Sequence, residues 1–365
     1  MSKNQFVRFS PWCQLAAWPL LLLLASALSG CSLNSERKAV ALPTGHYEGS
    51  VTFQGTELQA VLELREAAPG QLEADLRFPE EEGLSFPAEN LSYTEPELRF
   101  DQGKQPGGIS VSAVREGDFL RGVFQLDSIK ADFVWVRRGK AQPRPYQTRP
   151  LKLPTGQSAP ALTLFVPQDT STTRYPAVAL FAEPATQPAA QLRADQLARQ
   201  GFVTTVVALP PASSSTDSAA LRIAVAVVEA LRQDAAVDTL RVGLWARGAS
   251  AAVVPAATLV KPKADFVVLE SVSITAAADA KPFQALNRQR VRFLGLYAAA
   301  DTSLNAKESA RRLRTAVGLR RGTQVRIFPK ANAQFIVPGT LNAEGKWTWP
   351  KSAPGYLIAV DEWLK

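Results

Sequence analysis

Apolar and polar residues alternate with a period of two over the first part of this chain. Leu58, Ala60, Leu62 and Leu64 alternate with polar neighbours, as do Leu72, Ala74, Leu76 and Phe78. The rhythm returns at Leu98 and Phe100, at Ile109, Val111 and Ala113, and at Phe133 and Trp135. Successive side chains of a strand point to opposite faces, so this spacing predicts strands with one buried face. Pro69-Gly70, Pro106-Gly107-Gly108 and Glu116-Gly117-Asp118 separate the runs as turns. The expectation is seven or eight short antiparallel strands over residues 45–138, forming a small barrel or a sandwich. Its interior either holds a lipid-like ligand or is filled by its own side chains.

The stretch 139–150, rich in Pro and Arg, reads as a linker, and beyond it the rhythm changes. From 151 to 365, buried-type apolar runs at 161–166, 177–182, 202–209, 242–245, 266–269, 291–297 and 324–328 predict strands. Segments 189–200, 218–232, 251–259, 306–317 and 356–364 predict helices between or after them. Strands that are apolar throughout and alternate with helices imply an α/β fold, a mostly parallel sheet covered on both faces.

The first 30 residues carry Lys3 and Arg8, then an apolar stretch from Trp12 to Leu28 broken by Gln14 and Pro19, then Ser29 and Gly30. This is the layout of an export signal, and its interruptions argue against a membrane-spanning anchor. Leu28-Ser29-Gly30-Cys31 resembles the lipobox of bacterial lipoproteins, which implies cleavage before Cys31 and lipidation of that residue. Residues 31–44 then read as a tether, and Ser32 beside the acylated cysteine implies a lipid-anchored envelope protein of the outer membrane. Cys13 leaves with the signal and Cys31 is acylated, so no thiol remains in the folded part for a disulfide, a nucleophile or a metal.

The chain of 365 residues is 46% hydrophobic and 20% charged, a globular balance, with a net charge of +8. Arg137, Arg138, Lys140 and Arg144 form one basic run, and Arg311, Arg312, Arg314, Arg320 and Arg321 another. Neither is interleaved with aromatics, so both read as solvated faces and no nucleic-acid partner is expected. No metal cluster, phosphate loop or dinucleotide fingerprint is present, so no cofactor is expected.

The segment Asp238 to Ala252, reading DTLRVGLWARGASAA, is similar to the fifth strand and nucleophile elbow of α/β-hydrolases, and the fold pattern extends over about 147–365. That resemblance implies an α/β-hydrolase-like sheet preceded by the small β domain. It also places Gly248 where the family has its nucleophilic serine, flanked two residues away by the small Ala246 and Ser250. Glycine adopts the positive φ of such a corner without strain, so the turn is kept while its hydroxyl is gone. The segment Leu296 to Thr302 resembles the loop that carries the triad's acid, which makes Asp301 the one retained member. Asp301 equally suits the start of the following helix, together with Thr302 and Ser303. Phe328 to Phe335 resembles the loop that carries the base, with Ala333 in the histidine position. After the third strand, Ala182-Glu183-Pro184 stands where relatives present backbone N–H groups to the oxyanion, and Pro184 has none to give.

The only histidine of the chain is His46, upstream of the first strands, and a serine triad needs an imidazole beside its hydroxyl. A two-residue shift of the elbow would make Ser250 the nucleophile, with Lys330 as its base. Trp245, Trp347, Trp349 and Tyr356 are aromatic candidates for the mouth of the old pocket, or else for the cover of the last helix and Trp363. The composite expectation is a non-catalytic α/β-hydrolase-like lipoprotein that binds a small molecule or a protein partner. Its rivals are an ester or peptide hydrolase built on Ser250 and Lys330, and a β domain that is itself the lipid- or protein-binding module.

Overall fold

The period-two region folds into one antiparallel sheet of nine strands rather than seven or eight. The computed structural model describes residues 41–103, 107–153, 161–169, 171–209, 218–261 and 263–365; Cys31 and the segments read as signal and tether lie outside them, apart from 41–44. The strands are β1 (Gly45–Phe53), β2 (Thr56–Ala68), β3 (Gln71–Arg77), β4 (Phe86–Pro87), β5 (Glu89–Thr94), β6 (Glu97–Asp101), β7 (Ile109–Glu116), β8 (Phe119–Leu126) and β9 (Ile129–Gly139). They pair in the order β4-β3-β2-β1-β9-β8-β7-β6-β5. The end strands β4 and β5 are joined through Ala88 alone, whose N–H donates to the Ala74 carbonyl at 2.7 Å. The sheet therefore curls until its edges nearly meet, which gives it the shape of a barrel. Tyr47, Phe78, Phe124 and Trp135 are fully buried inside, with Phe78 edge-on to Phe124 at 5.9 Å. The interior is filled by side chains.

The second sheet is mixed and has eight strands: β10 (Tyr146–Leu151), β11 (Leu162–Pro167), β12 (Tyr175–Ala182), β13 (Val203–Ala208), β14 (Val237–Arg247), β15 (Phe266–Glu270), β16 (Arg292–Ala298) and β17 (Thr323–Phe328). Their order is β10-β11-β13-β12-β14-β15-β16-β17, antiparallel at β10 and β11 and parallel from β13 onward. The stretch read as a linker thus contains a strand. Its prolines suggested a break, but Pro150 sits in the edge strand β10, where a missing N–H costs no central ladder bond.

Helices cover both faces of this sheet. α1 (Gln187–Arg199) and α4 (Tyr356–Leu364) share one core with Leu180, Trp245, Phe266 and Leu296. α2 (Ser218–Gln233) and α3 (Ala306–Val317) share the other with Phe181, Leu244, Leu269 and Tyr297. Successive strand residues face opposite ways, so strands buried on both sides read as unbroken apolar runs. From β12 the chain crosses by α1 to β13 on one side, then by α2 to β14 on the other. That reversal opens a crevice beyond the carboxyl ends of β12 and β14.

The two sheets belong to one unit, Leu42–Lys365, and two devices join them. The first is aromatic. The segment after β17 sends Trp349 into the core of the nine-stranded sheet, 7% exposed and 6.2 Å from Phe124, with Trp347 edge-on to Phe53 at 5.6 Å. The second is ionic. Asp75 on β3, 1% exposed, meets Arg65 of β2 at 2.6 Å, Arg144 at 3.0 Å and Arg199 of α1 at 3.1 Å. Arg144, expected on a solvated face, is thus drawn into the join, because its guanidinium also meets Glu73 at 3.0 Å. Asp195 of α1 extends the network by accepting the Tyr146 hydroxyl and pairing with Arg199 at 2.9 Å. Burial alone would raise the Asp75 carboxyl. The hydrogen bond from Arg144 and the charges of Arg144, Arg199 and Arg65 outweigh it and hold the pKa down to about 2.

Two outcomes follow from these joins. Trp349→Ala should cost about 3–5 kcal/mol of unfolding free energy in denaturant titrations, the usual loss for a buried tryptophan. Asp75→Asn should cost about 3 kcal/mol at neutral pH by removing the one buried carboxylate that Arg65, Arg144 and Arg199 share. A carboxyl with a depressed folded pKa stabilises above its unfolded value and loses that contribution as pH falls through the folded value. The melting-temperature gap between the native chain and Asp75→Asn should therefore be full above about pH 4 and shrink as pH falls toward 2.

Candidate functional site

β14 is the fifth strand of the mixed sheet in chain order and ends at Arg247, where the chain enters a 3-10 turn over Gly248–Ala252. Gly248 has φ +57°, in the left-handed region that costs a side-chain-bearing residue about 1–2 kcal/mol. A Cβ there would meet no heavy atom within 4 Å, so the demand for glycine comes from the backbone alone. The helix expected over 251–259 is in fact this turn followed by one short helix, Val254–Ala257. Pro255 stands in the first turn of that helix, where its missing N–H costs no helical hydrogen bond, so the helix begins anew there and does not continue from Ala251.

Ser250 is fully buried, and its hydroxyl is engaged by backbone. It lies 2.7 Å from the Arg247 carbonyl and 3.0 Å from the Phe181 carbonyl as donor, and accepts the Arg247 N–H at 3.2 Å. The residue staples the corner to β12. Lys330 is exposed, in a left-handed conformation of φ +60°. Asp301 is buried, and its Oδ1 accepts the Ser303 N–H at 2.9 Å and the Ser303 hydroxyl at 2.6 Å. It holds its own turn; the cap of α3 is Asn305, which accepts the Glu308 N–H at 3.0 Å. Ala333 lies in a loop shaped by Asn332, whose side chain accepts the N–H groups of Gln334 and Ile336. After β12, the Glu183 N–H is taken by the Thr186 hydroxyl at 3.1 Å. His46 sits on β1 with both ring nitrogens 2.8 Å from carboxylates of Glu48 and Glu63. The hydrogen bond to Glu48, assisted by Glu63, raises its pKa against a burial effect that lowers it.

The crevice at the strand ends is a narrow cleft. Its floor comes from the ends of three neighbouring strands, Leu180–Ala182 of β12, Trp245 and Arg247 of β14, and Glu270 of β15. Arg193 of α1, Phe335 and Tyr356 form its walls, and Gln102 reaches it from the nine-stranded sheet. Trp245 is the one tryptophan of the expected trio that lines this cleft; Trp347 and Trp349 pack on the other sheet. They neither line the cleft nor cover α4, because the core of that sheet offers them a deeper apolar site. Tyr356 donates its hydroxyl to Glu270 at 2.6 Å and stacks on Phe335 at 4.4 Å. Burial first, and Glu270 with it, push the Tyr356 hydroxyl well above its ordinary pKa, so it stays a donor. Arg193 donates to the Tyr356 hydroxyl, and its guanidinium lies 4.9 Å from the Tyr356 ring and 5.5 Å from the Trp245 ring. Arg247 donates to the Ala333 carbonyl, tying the end of β14 to the loop after β17.

Backbone strain gathers here. Phe335 has φ +60° and Ser271, next to Glu270, φ +49°, with the Ser271 hydroxyl buried and unpartnered among the described residues. Bulky residues seldom take that conformation, and strain of this kind concentrates at functional sites.

Sequence reasoning did not single out Arg193, Arg247, Glu270 or Tyr356 as a group. Glu270 carried a usable signal, a carboxylate ending the apolar run Phe266 to Leu269. The others come from separate elements, and only the fold brings them together. No protein-family model matches this sequence, and no curated protein matches it. Among solved structures, one described as a dienelactone hydrolase from Klebsiella pneumoniae is similar over 51% of this chain and 87% of its own, at 13% identity and a TM-score of 0.39. A likeness of that size assigns a role to no residue of this chain.

Gly248→Ser should lower the unfolding free energy by about 1–2 kcal/mol through φ strain alone. It should also leave ester hydrolysis at background. An unchanged melting temperature would contradict the strained-corner account.

Proposed function

We propose that this chain is a non-catalytic member of the α/β-hydrolase-like folds, a pseudoenzyme, held at the cell envelope by lipid on Cys31. Its role is to bind a small molecule in the cleft beyond β12, β14 and β15. The observation that carries the reading is the contact between Arg247 and the Ala333 carbonyl. The two positions that would hold nucleophile and base are Gly248 and Ala333, and an arginine bridges the gap between them. An acyl transfer of the ordinary kind needs a hydroxyl activated by an imidazole there, together with N–H groups for the oxyanion. The Ser250 hydroxyl is engaged with backbone, His46 is engaged with two glutamates on the other sheet, and the Glu183 N–H is engaged with Thr186.

Further support comes from the corner's position on the fifth strand of the mixed sheet, where the sequence resemblance puts it, and from the φ of Gly248. A cleft with aromatic walls, a few converging polar groups and local strain is the ordinary form of a ligand site. The nine-stranded sheet, with its interior filled, serves this reading as a wall of the cleft and not as a binding barrel. No helix among the described residues is long and apolar enough to cross a membrane, and the envelope tether rests on the residues around Cys31.

The mature protein should take no label from a fluorophosphonate probe and should turn over p-nitrophenyl acetate no faster than its heat-denatured form. Labelling at Ser250 that disappears in Ser250→Ala would overturn the non-catalytic reading and restore the hydrolase alternative.

A further inference from the structure

We infer that the cleft takes an organic monoanion, a carboxylate or phosphate monoester with an apolar body, whose charged end lies against Arg193 and Arg247. The inference rests on the ligand-binding reading and adds the charge of the ligand to it.

Several arginines of this fold pair with carboxylates, while others, Arg241, Arg292 and Arg320 among them, end on backbone carbonyls away from the cleft. Arg65, Arg144 and Arg199 meet Asp75, Arg149 meets Asp234 at 2.6 Å, and Arg232 meets Asp265 at 2.8 Å. Arg193 and Arg247 differ. Among the described residues neither has a carboxylate within 4.0 Å, although Glu270 lines the same cleft. Arg193 donates to the Gln196 amide oxygen at 2.8 Å and to the Tyr356 hydroxyl, and Arg247 to the Ala333 carbonyl. All three acceptors are neutral, and Arg193 reaches Glu270 only through the Tyr356 hydroxyl.

The balance of charge follows. Two guanidinium groups face one carboxylate, and Glu270 already receives the Tyr356 hydroxyl. One added negative charge would bring the cleft to neutrality, whereas an added cation would be repelled by the pair. Both arginines keep donors that meet no acceptor among the described residues, Nε of Arg193 and Nε and one Nη of Arg247. A planar fork with free donors matches carboxylate and phosphate oxygens. The body of the ligand would lie on the apolar lining, Trp245, Phe335, Leu180 and Leu357.

Glu270 can balance only one of the two arginines, and the positive charge left over is what favours an external anion.

The test is isothermal titration calorimetry of the mature chain at low ionic strength with four probes sharing one tail: octanoate, octyl phosphate, 1-octanol and octylammonium. At least one of the two anions should bind about tenfold or more tighter than octanol, the order of one charge-assisted hydrogen bond. Octylammonium should bind weakest. The ranking of octanoate against octyl phosphate identifies which anion the cleft prefers. Arg193→Gln and Arg247→Gln, each with an unchanged circular dichroism spectrum, should weaken the anion about tenfold and leave octanol unaffected. Octanol or octylammonium binding as tightly as the anions would overturn the inference while leaving a ligand-binding cleft intact. Anion binding unchanged in both variants would overturn it as well. Heat from none of the four probes would overturn both the inference and the ligand-binding reading beneath it.

Discussion

The shared carboxylate of Asp75 is the constraint on which the working shape of this protein depends. It takes arginines from β2, from the chain between the sheets and from α1. α1 is also the element that carries Arg193 into the cleft, six residues before Arg199. A buried carboxylate shared by three guanidinium groups tolerates little displacement, because its partners lose charge compensation in a low-dielectric setting. The filled barrel therefore acts as a rigid abutment for α1, and Trp349 pins the opposite side of the cleft to the same barrel. The join is polar where α1 meets the barrel and aromatic where the segment around Trp349 does.

Within that frame the corner at the end of β14 is shaped by packing: a left-handed residue, small neighbours, and a hydroxyl at Ser250 stitching strand to strand. The charged groups have a different distribution. Arg247 occupies the space between corner and loop, Arg193 lies against two aromatic rings, and Glu270 is held by Tyr356. Gathering two guanidinium groups around one carboxylate leaves a charge unbalanced, and the left-handed backbone at Phe335 and Ser271 is costly as well. Features that oppose stability and gather in one cleft are the mark of a site with a use.

The readings that held to local periodicity were legible in the chain. Alternation at Leu58 to Leu64 placed β2, and the apolar run Phe266 to Leu269 placed β15, since the pleat and the buried parallel strand impose those patterns directly. The linker reading of 139–150 went astray because proline chemistry is local, whereas the permission for Pro150 to sit in a strand comes from that strand's place at the sheet edge. Trp347 and Trp349 show the same limit. Their proximity in sequence to the Ala333 loop suggested the cleft or α4, and the deeper apolar volume of the other sheet claimed them.

What the chain by itself determined were the quantities set by neighbours along it: strand and helix rhythm, the glycine at a corner that demands positive φ, and the lack of any histidine beyond His46. Tertiary structure decided which charges meet. Arg193, Arg247, Glu270 and Tyr356 are separated by up to 163 residues, and no periodicity links them. Only the reversal of strand order at β12 and β14, with α1 and α4 packed on one face, sets them around a single cleft. Electrostatic partnership depends on distance in space and on burial, and neither is written into spacing along the chain.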